Sequence, residues 1–380
     1  MTVNNTDTFL VERSGTSYKV EAQNLMADLQ DTDLMLVERS GTSYKATGAD
    51  IKGSLGGSLP NFNIADCFDS FEYTGNGGTQ SFNLGMDLAG NGAMIIIKPH
   101  SGNDAWMFTT ETGNNVRGRI TTNEGWRAVS NSLTFTSTGF TLGSQYQQND
   151  NGSKFSAEVF MAKPGFFDIV SYSGNSGTQN VSHSLGATPR MMWIKNKSDH
   201  TTYRVWNWYT EETGPGTNME LSETLHAQNS TFYDRKMPTD TQFTVKGNNV
   251  HINMSGNDYV AMLFGGSCDG DYPVRFGSYK GCNQQPYELP GLGDNQTPQF
   301  YLGKQTTGTN TQGGWCTSKG YGMPGSPNSS NQTKIWKFNS GTESGSNAFS
   351  HSNKIWTIKN NNDWMNNDNR EYFYMIIADS

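Results

Sequence analysis

Six histidines, four cysteines and a scatter of carboxylates are what this 380-residue chain offers for reactive chemistry. Their spacing argues against a reaction centre. His100, His183, His200, His226, His251 and His351 form no HExxH or comparable pair, so no metal-activated water is set up. Cys67, Cys268, Cys282 and Cys316 show no CxxC pairing and read as free thiols, with a Cys268–Cys282 disulfide left open. A nucleophilic serine would need a strained elbow such as GxSxG, and the chain has none. Glu211 and Glu212 sit in a Gly/Pro-rich loop and read as a solvated pair rather than as acid and base. The expectation is a protein that is not an enzyme and uses no cofactor or metal.

Three weaker patterns need a reading. Asn149–Gly152 and Asn360–Asp368 are rich in oxygen donors, but neither follows the EF-hand order, and polar turns explain both. The Gly-Asn-Gly-Gly run at 75–78 follows a strand without opening a helix, so it is no phosphate cradle. Trp206 and Trp208, and the group Trp336, Trp356 and Trp364, read first as core residues. If any tryptophan contacts a glycan, Trp356 and Trp364 in the divergent C-terminal region are the candidates.

Composition sets the elements that must hold such residues. Only 33% of the chain is hydrophobic and 16% charged, yet aromatics reach 12% and glycines number 43. Aromatic content of that order supplies packed cores, while Gly/Asn/Ser/Thr turns at short intervals spell strands rather than helices. A formal net charge of −8 and the lack of a basic stripe argue against a nucleic-acid partner. No run approaches membrane-spanning length, and Met1–Asn5 does not read as a secretory leader.

The chain repeats itself at two scales. Val-Glu-Arg-Ser-Gly-Thr-Ser-Tyr-Lys occurs at 11–19 and again, letter for letter, at 37–45. Each copy reads as strand, Ser-Gly turn, strand and short helix, with Glu21 to Leu29 the first helix and Ala49 to Leu55 the second. A ββα piece this small cannot bury a core alone and must pack on its twin or on other chains. Such a unit serves docking better than chemistry. Its repeated residues Arg13, Tyr18, Arg39 and Tyr44 are the candidate attachment contacts.

A longer repeat follows. Asp69, Tyr73, Gly75, Asn76, Gly78, Thr79 and Gln80 recur, 99 residues on, as Asp168, Tyr172, Gly174, Asn175, Gly177, Thr178 and Gln179. Ala93–Lys98 then matches Arg190–Lys195, and Gly152–Phe160 matches Gly256–Phe264. A degraded third copy runs from Tyr279-Lys280-Gly281 to Arg370–Ile377. Units of this length are whole domains. The expectation is an all-β chain of tandem β-sandwich domains of jelly-roll or lectin-like kind behind the ββα repeats. Its divisions fall at 1–58, 59–164, 165–269 and 270–380. The shared Gly-Asn pairs read as turns that require positive φ. Alternation in Leu133–Thr136 and Phe155–Phe160 reads as short strands of a sandwich or jelly roll.

The segment DTDLMLVERSGTSYKAT resembles N-terminal, often tandem, segments in structural proteins of tailed phages that infect marine bacteria, cyanophages among them. The pattern FFDIVSYSGNSGTQNVSHSLGATPRMMWIKN, closing in NDYVAMLFG, is similar to a β domain repeated in the same proteins. The resemblance is strong over 6–51, good over 66–269 and confined to the edges of 270–380. It implies a virion component made in the host cytoplasm. That component would be a tail-fibre-like protein, or alternatively a capsid-decorating or head-fibre protein, docked to other virion proteins through 1–58. Fibre and decoration proteins are commonly homo-oligomers, with a trimer the expected fibre arrangement. The resemblance implies no known receptor; host adsorption would follow if the outward domains bind a surface glycan. A lectin-like binding module is the remaining alternative. No catalytic residue, nucleic acid or membrane is implied.

Overall fold

The computed structural model describes residues 62–379 apart from 102–103, 199–202, 208–216, 221–227, 230–236, 268–271, 283–286, 289–296, 308–312, 318–334, 338–342, 345–348, 353–354, 359–365 and 369. Before residue 62 it describes four strands as backbone. The chain forms two compact units, Met1–Pro60 and Asn61–Ser380.

In the first unit each nonapeptide lies within a hairpin. Strands β1 (Thr8–Arg13) and β2 (Thr16–Glu21) pair antiparallel with Arg13 opposite Thr16, so the Ser-Gly pair is a two-residue connection. Strands β3 (Leu34–Arg39) and β4 (Thr42–Thr47) do the same, with Arg39 opposite Thr42. The hairpins join through β1 and β3 into one sheet of order β2-β1-β3-β4. A lone two-stranded hairpin is marginal in water, and four strands are the smallest arrangement that pairs both. Glu21, the expected start of the first helix, instead closes β2, and the remainder of that helix and the second at 49–55 lie outside the described residues.

The second unit uses one strand order three times. Its first copy comprises β5 (Phe68–Thr74), β6 (Gln80–Asn83), β7 (Ala93–Pro99), β8 (Trp106–Thr109), β9 (Val116–Arg119), β10 (Arg127–Ala128), β11 (Leu133–Thr136), β12 (Gly139–Leu142) and β13 (Lys154–Met161). Two four-residue helical turns, α1 (Leu88–Asn91) and α2 (Tyr146–Asn149), interrupt it. The second copy comprises β14 (Phe167–Ser173), β15 (Thr178–Ser182), β16 (Met191–Asn196), β17 (Arg204–Asn207), β18 (Thr217–Glu220), β19 (Gln228–Asn229), β20 (Gln242–Lys246) and β21 (Asp258–Phe264). The third comprises β22 (Val274–Lys280), β23 (Tyr287–Glu288), β24 (Thr297–Gln305), β25 (Gly313–Thr317), β26 (Ile335–Lys337), β27 (Glu343–Ser344), β28 (Phe349–Ser352), β29 (Ile355–Ile358) and β30 (Glu371–Asp379).

The large sheets run β5-β13-β7-β8-β9-β10, β14-β21-β16-β17-β18-β19 and β22-β30-β24-β25-β26-β27. Each therefore places its closing strand between its first and third. The small sheets are β6-β12-β11, β15-β20 and β23-β29-β28. Every ladder within them is antiparallel, so the fold is all-β and sandwich-like, as composition and turn spacing lead one to expect.

Register makes the equivalence residue-specific. Tyr73 faces Phe155, Tyr172 faces Tyr259 and Tyr279 faces Tyr372 across the first ladder of each copy. The rings stack in all three, with centroids 5.2, 5.2 and 4.9 Å apart. A buried amide closes the same end. Asn149 donates to the carbonyls of Gly78 at 2.7 Å and Gly143 at 2.9 Å, and accepts from the Asn76 N–H at 2.9 Å. Asn253 donates to Gly177 O at 2.8 Å and accepts from Asn175 N–H at 3.1 Å, while Asn366 accepts from Cys282 N–H at 2.9 Å. The polar stretch at 149–152 thus has a structural use for its first amide.

The shared glycines have a different cause from the one their type suggests. Neither Gly75 nor Gly174 has positive φ; that backbone falls at Gly77 (φ 70) and Ser176 (φ 59). A Cβ on Gly75 would lie 2.2 Å from the carbonyl oxygen of Asp150, and one on Gly174 or Gly281 would lie 2.2 Å from that of Met254 or Asn367. Close approach of two backbones excludes a side chain there. Asn76 and Asn175 each accept from the N–H two residues on, at 2.8 Å, which fixes the turn.

The three sandwiches share one apolar centre. On the face of each large sheet turned away from its small sheet, three ladder neighbours recur. They are Phe68, Phe160 and Met94, then Phe167, Phe264 and Met191, then Val274, Ile377 and Phe300. All nine belong to a single buried cluster. Phe160 meets Phe264 at 5.9 Å and Phe300 at 5.7 Å, both nearly edge-on, so it touches both other copies. Burying each such ring contributes about 2–3 kcal/mol. This also revises the expected alternation in Phe155–Phe160. Its second face is not solvated: Ser156 and Glu158 are both fully buried. Leu133–Thr136 does alternate, with Leu133 buried and Thr134 exposed.

Candidate functional site

The four attachment candidates occupy matched places in the N-terminal sheet. Arg13 lies opposite Thr16 and Tyr18 opposite Val11; Arg39 lies opposite Thr42 and Tyr44 opposite Val37. The β1–β3 joint brings the two halves together, so one sheet carries every repeated residue twice. Its outer strands β2 and β4 share the sequence Thr-Ser-Tyr-Lys, and neither pairs on its far side among the described strands. A doubled sheet with two like edges offers backbone N–H and C=O groups to a partner.

The glycan candidates fall largely outside the described residues. Trp356 is on β29, opposite His351, and its side chain lies outside the described residues, as does all of Trp364. Trp208, Trp206 beyond its backbone, the Glu211-Glu212 pair and Cys268 also lie outside them. The Cys268–Cys282 pairing is therefore outside the description too. Cys67 is a buried free thiol whose Sγ reaches Ile64 O at 3.6 Å, and burial pushes it up to about 12. A thiol so protonated is no nucleophile at neutral pH.

The shared centre holds an unforeseen polar layer. Next to the nine-residue layer the closing strands contribute Glu158, Met262 and Met375 at one equivalent position. One step further along, the third strands contribute Lys98, Lys195 and Lys304, which are 1%, 0% and 1% exposed. Lys98 Nζ donates to Pro99 O at 2.8 Å, and Lys195 Nζ stands 5.0 Å from the Tyr203 ring centre. Burial drives the Glu158 carboxyl up to about 8, outweighing the Trp315 indole N–H and the Lys98 ammonium, which both favour the charged form. Trp315 belongs to the third copy, so this proton sits where the first and third sandwiches meet. With no exposed surface, Glu158 acts on packing and on pH dependence rather than on a substrate.

A second departure marks the first sandwich. Its outer strands β9 and β10 carry Arg117, Arg119 and Arg127, where β18 and β19 read Thr-Asn-Met-Glu and Gln-Asn. Sequence reading passed over both departures. The matched Lys98 and Lys195 ended an alignment that was in view, and the Arg-Gly-Arg spacing places two arginines on one face of a strand.

Fold and repeats define the chain as a triplicated antiparallel β-sandwich behind a doubled hairpin sheet. It belongs to the family described as a domain of unknown function, DUF7483, whose profile matches residues 162–380. That stretch holds the second and third sandwiches together, and the first repeats their strand order outside it. No curated protein matches the chain.

Proposed function

We propose that this chain is a non-enzymatic structural protein of a tailed-phage virion, most simply a tail-fibre-like protein. Residues 1–58 dock it to other virion proteins, and the sandwiches are presented toward the host surface. The observation that carries the reading is the presence of two unlike repeats in two separate units. A small sheet doubles one nonapeptide, while a separate unit triplicates a sandwich. Duplication of a short hairpin multiplies a contact, whereas triplication of a sandwich enlarges a rigid body. The resemblance of both repeats to marine-phage proteins supplies the particle. The three-way apolar centre lies within a single chain, which supports assigning oligomer contacts to residues 1–58 rather than to the sandwiches.

Immunogold electron microscopy of purified particles with an antibody against residues 270–380 tests this. Label at the tail is the expected outcome. Label over the capsid assigns the chain to head decoration, and no label on intact particles rejects the virion role.

A further inference from the structure

The β9–β10 edge of the first sandwich presents a charge arrangement that its own residues leave incomplete. Arg117 and Arg127 lie directly opposite each other in the ladder, and like charges so placed destabilise a sheet. The neighbouring carboxylates pair with Arg119 and Arg127, not with Arg117. Arg119 takes Asp104 at 3.2 Å and Glu124 at 3.3 Å, and the second Glu124 oxygen is 3.8 Å from Arg127. Arg117 is only 7% exposed and makes no ion pair among the described residues.

What Arg117 does have is neutral. Its Nη1 donates to Gln148 Oε1 at 2.9 Å and Gln147 Oε1 at 3.2 Å, and its guanidinium lies 3.9 Å from the Trp106 ring centre. Its Nε is buried with no acceptor among the described residues. Burial, and next the Arg119 charge, hold its pKa below the ordinary arginine value. A guanidinium taken from water without an anion is costly, and a ring face with two amide oxygens offsets that only in part. The rim beside Arg117 is open. Arg127 has 59% of its side chain exposed, and Tyr146, adjacent in the chain to Gln147, is 67% exposed, one of two large apolar side chains so exposed among the described residues.

We propose that this edge binds an anionic saccharide, with Arg117 and Arg127 sharing a carboxylate or sulfate and Tyr146 lying against the sugar ring. Planar guanidinium groups match oxyanions of either kind, and an exposed aromatic with a polar tip suits the mixed surface of a sugar. An anion between the two arginines removes their mutual repulsion and gives Arg117 its missing counter-charge. The inference gives a ligand class to the outward sandwiches of the proposed function, and it holds whichever particle carries the chain. It places a glycan contact on the first sandwich, apart from the candidates Trp356 and Trp364 in the third.

Calorimetric titration of the full chain tests it with four probes. They are an oligogalacturonate, a sulfated galactan oligosaccharide, the neutral galactan oligosaccharide and inorganic sulfate. At least one charged oligosaccharide is expected to bind about tenfold or more tightly than the neutral one, and Arg127→Gln to weaken it about tenfold. Tyr146→Ala is expected to weaken oligosaccharide binding as well. Both side chains are exposed, so neither variant falls below the parent Tm, and Arg127→Gln, which relieves the opposed charges, holds or raises it. The stronger of the two charged probes identifies the oxyanion. Equal binding of charged and neutral oligosaccharides overturns the proposal, as does indifference to Arg127→Gln. Inorganic sulfate binding as tightly as the sulfated oligosaccharide overturns the saccharide assignment.

Discussion

The first and second sandwiches carry the same stacked tyrosine, the same buried asparagine and the same side-chain-free glycine, at matching positions. They part at Glu158, where the second has Met262, and at the arginine edge, where the second has none. Duplicated features belong to the scaffold, because each copy must fold by the same rules. Features found in one copy answer to something outside those rules. Mutating matched positions in pairs tests that division.

The largest effects are expected where the copies agree. Gly75→Ala and Gly174→Ala each push a methyl group to 2.2 Å from a carbonyl oxygen. Each should cost about 4 kcal/mol in urea unfolding, and by similar amounts. Asn149→Ala and Asn253→Ala come next, at about 3 kcal/mol each, since the turn carbonyls and N–H groups lose buried partners. Markedly unequal losses within either pair would break the equivalence of the two sandwiches.

Glu158→Met sharpens the contrast instead, because it writes the residue of the other copies into the first. Glu158 is held up to about 8 in the folded protein against an ordinary value of 4.5. Between those values the folded form keeps a proton that the unfolded chain releases. Stability therefore falls as pH rises from 4.5 toward about 8, and this contribution is flat above it. The variant should lose that slope and gain about 2 kcal/mol at pH 8, as replacement of a buried ionisable group by an apolar one of similar size often does. Urea midpoints at pH 5 and pH 8 measure both. The smallest effect is at the tyrosine hydroxyls, which donate to Gln148 O and Ile252 O at 2.6 Å. Tyr73→Phe and Tyr172→Phe should each cost about 1 kcal/mol, again equally.

Much of this scaffold was legible. The match of Tyr73, Gly75 and Asn76 with Tyr172, Gly174 and Asn175 located the first strand and turn of each copy, and short strands between Gly/Asn turns gave the fold class. The cause of the glycines was not legible, because residue type alone does not separate positive φ from the close approach of a distant carbonyl. The common centre was missed for a related reason. Ala-Met-Ile-Ile-Ile-Lys and Tyr-Val-Ala-Met-Leu-Phe are apolar on both faces, which signals a strand covered twice. Nothing in one strand says that its second cover is two other copies of its own domain. The arginine edge was hidden because Arg117 meets Gln148 only through the fold, and a lone Arg-Gly-Arg is a common surface pattern.

The proposed function rests on the separation of docking from presentation, and incorporation into particles tests that most directly. Full-length chain and a version lacking residues 1–58 are supplied during infection, with circular dichroism showing that the shortened protein keeps its β signal. The account expects the full chain on purified particles and the shortened one in the unassembled fraction. Particles that carry the shortened chain at full occupancy would contradict it, and would place the attachment surface on the sandwiches.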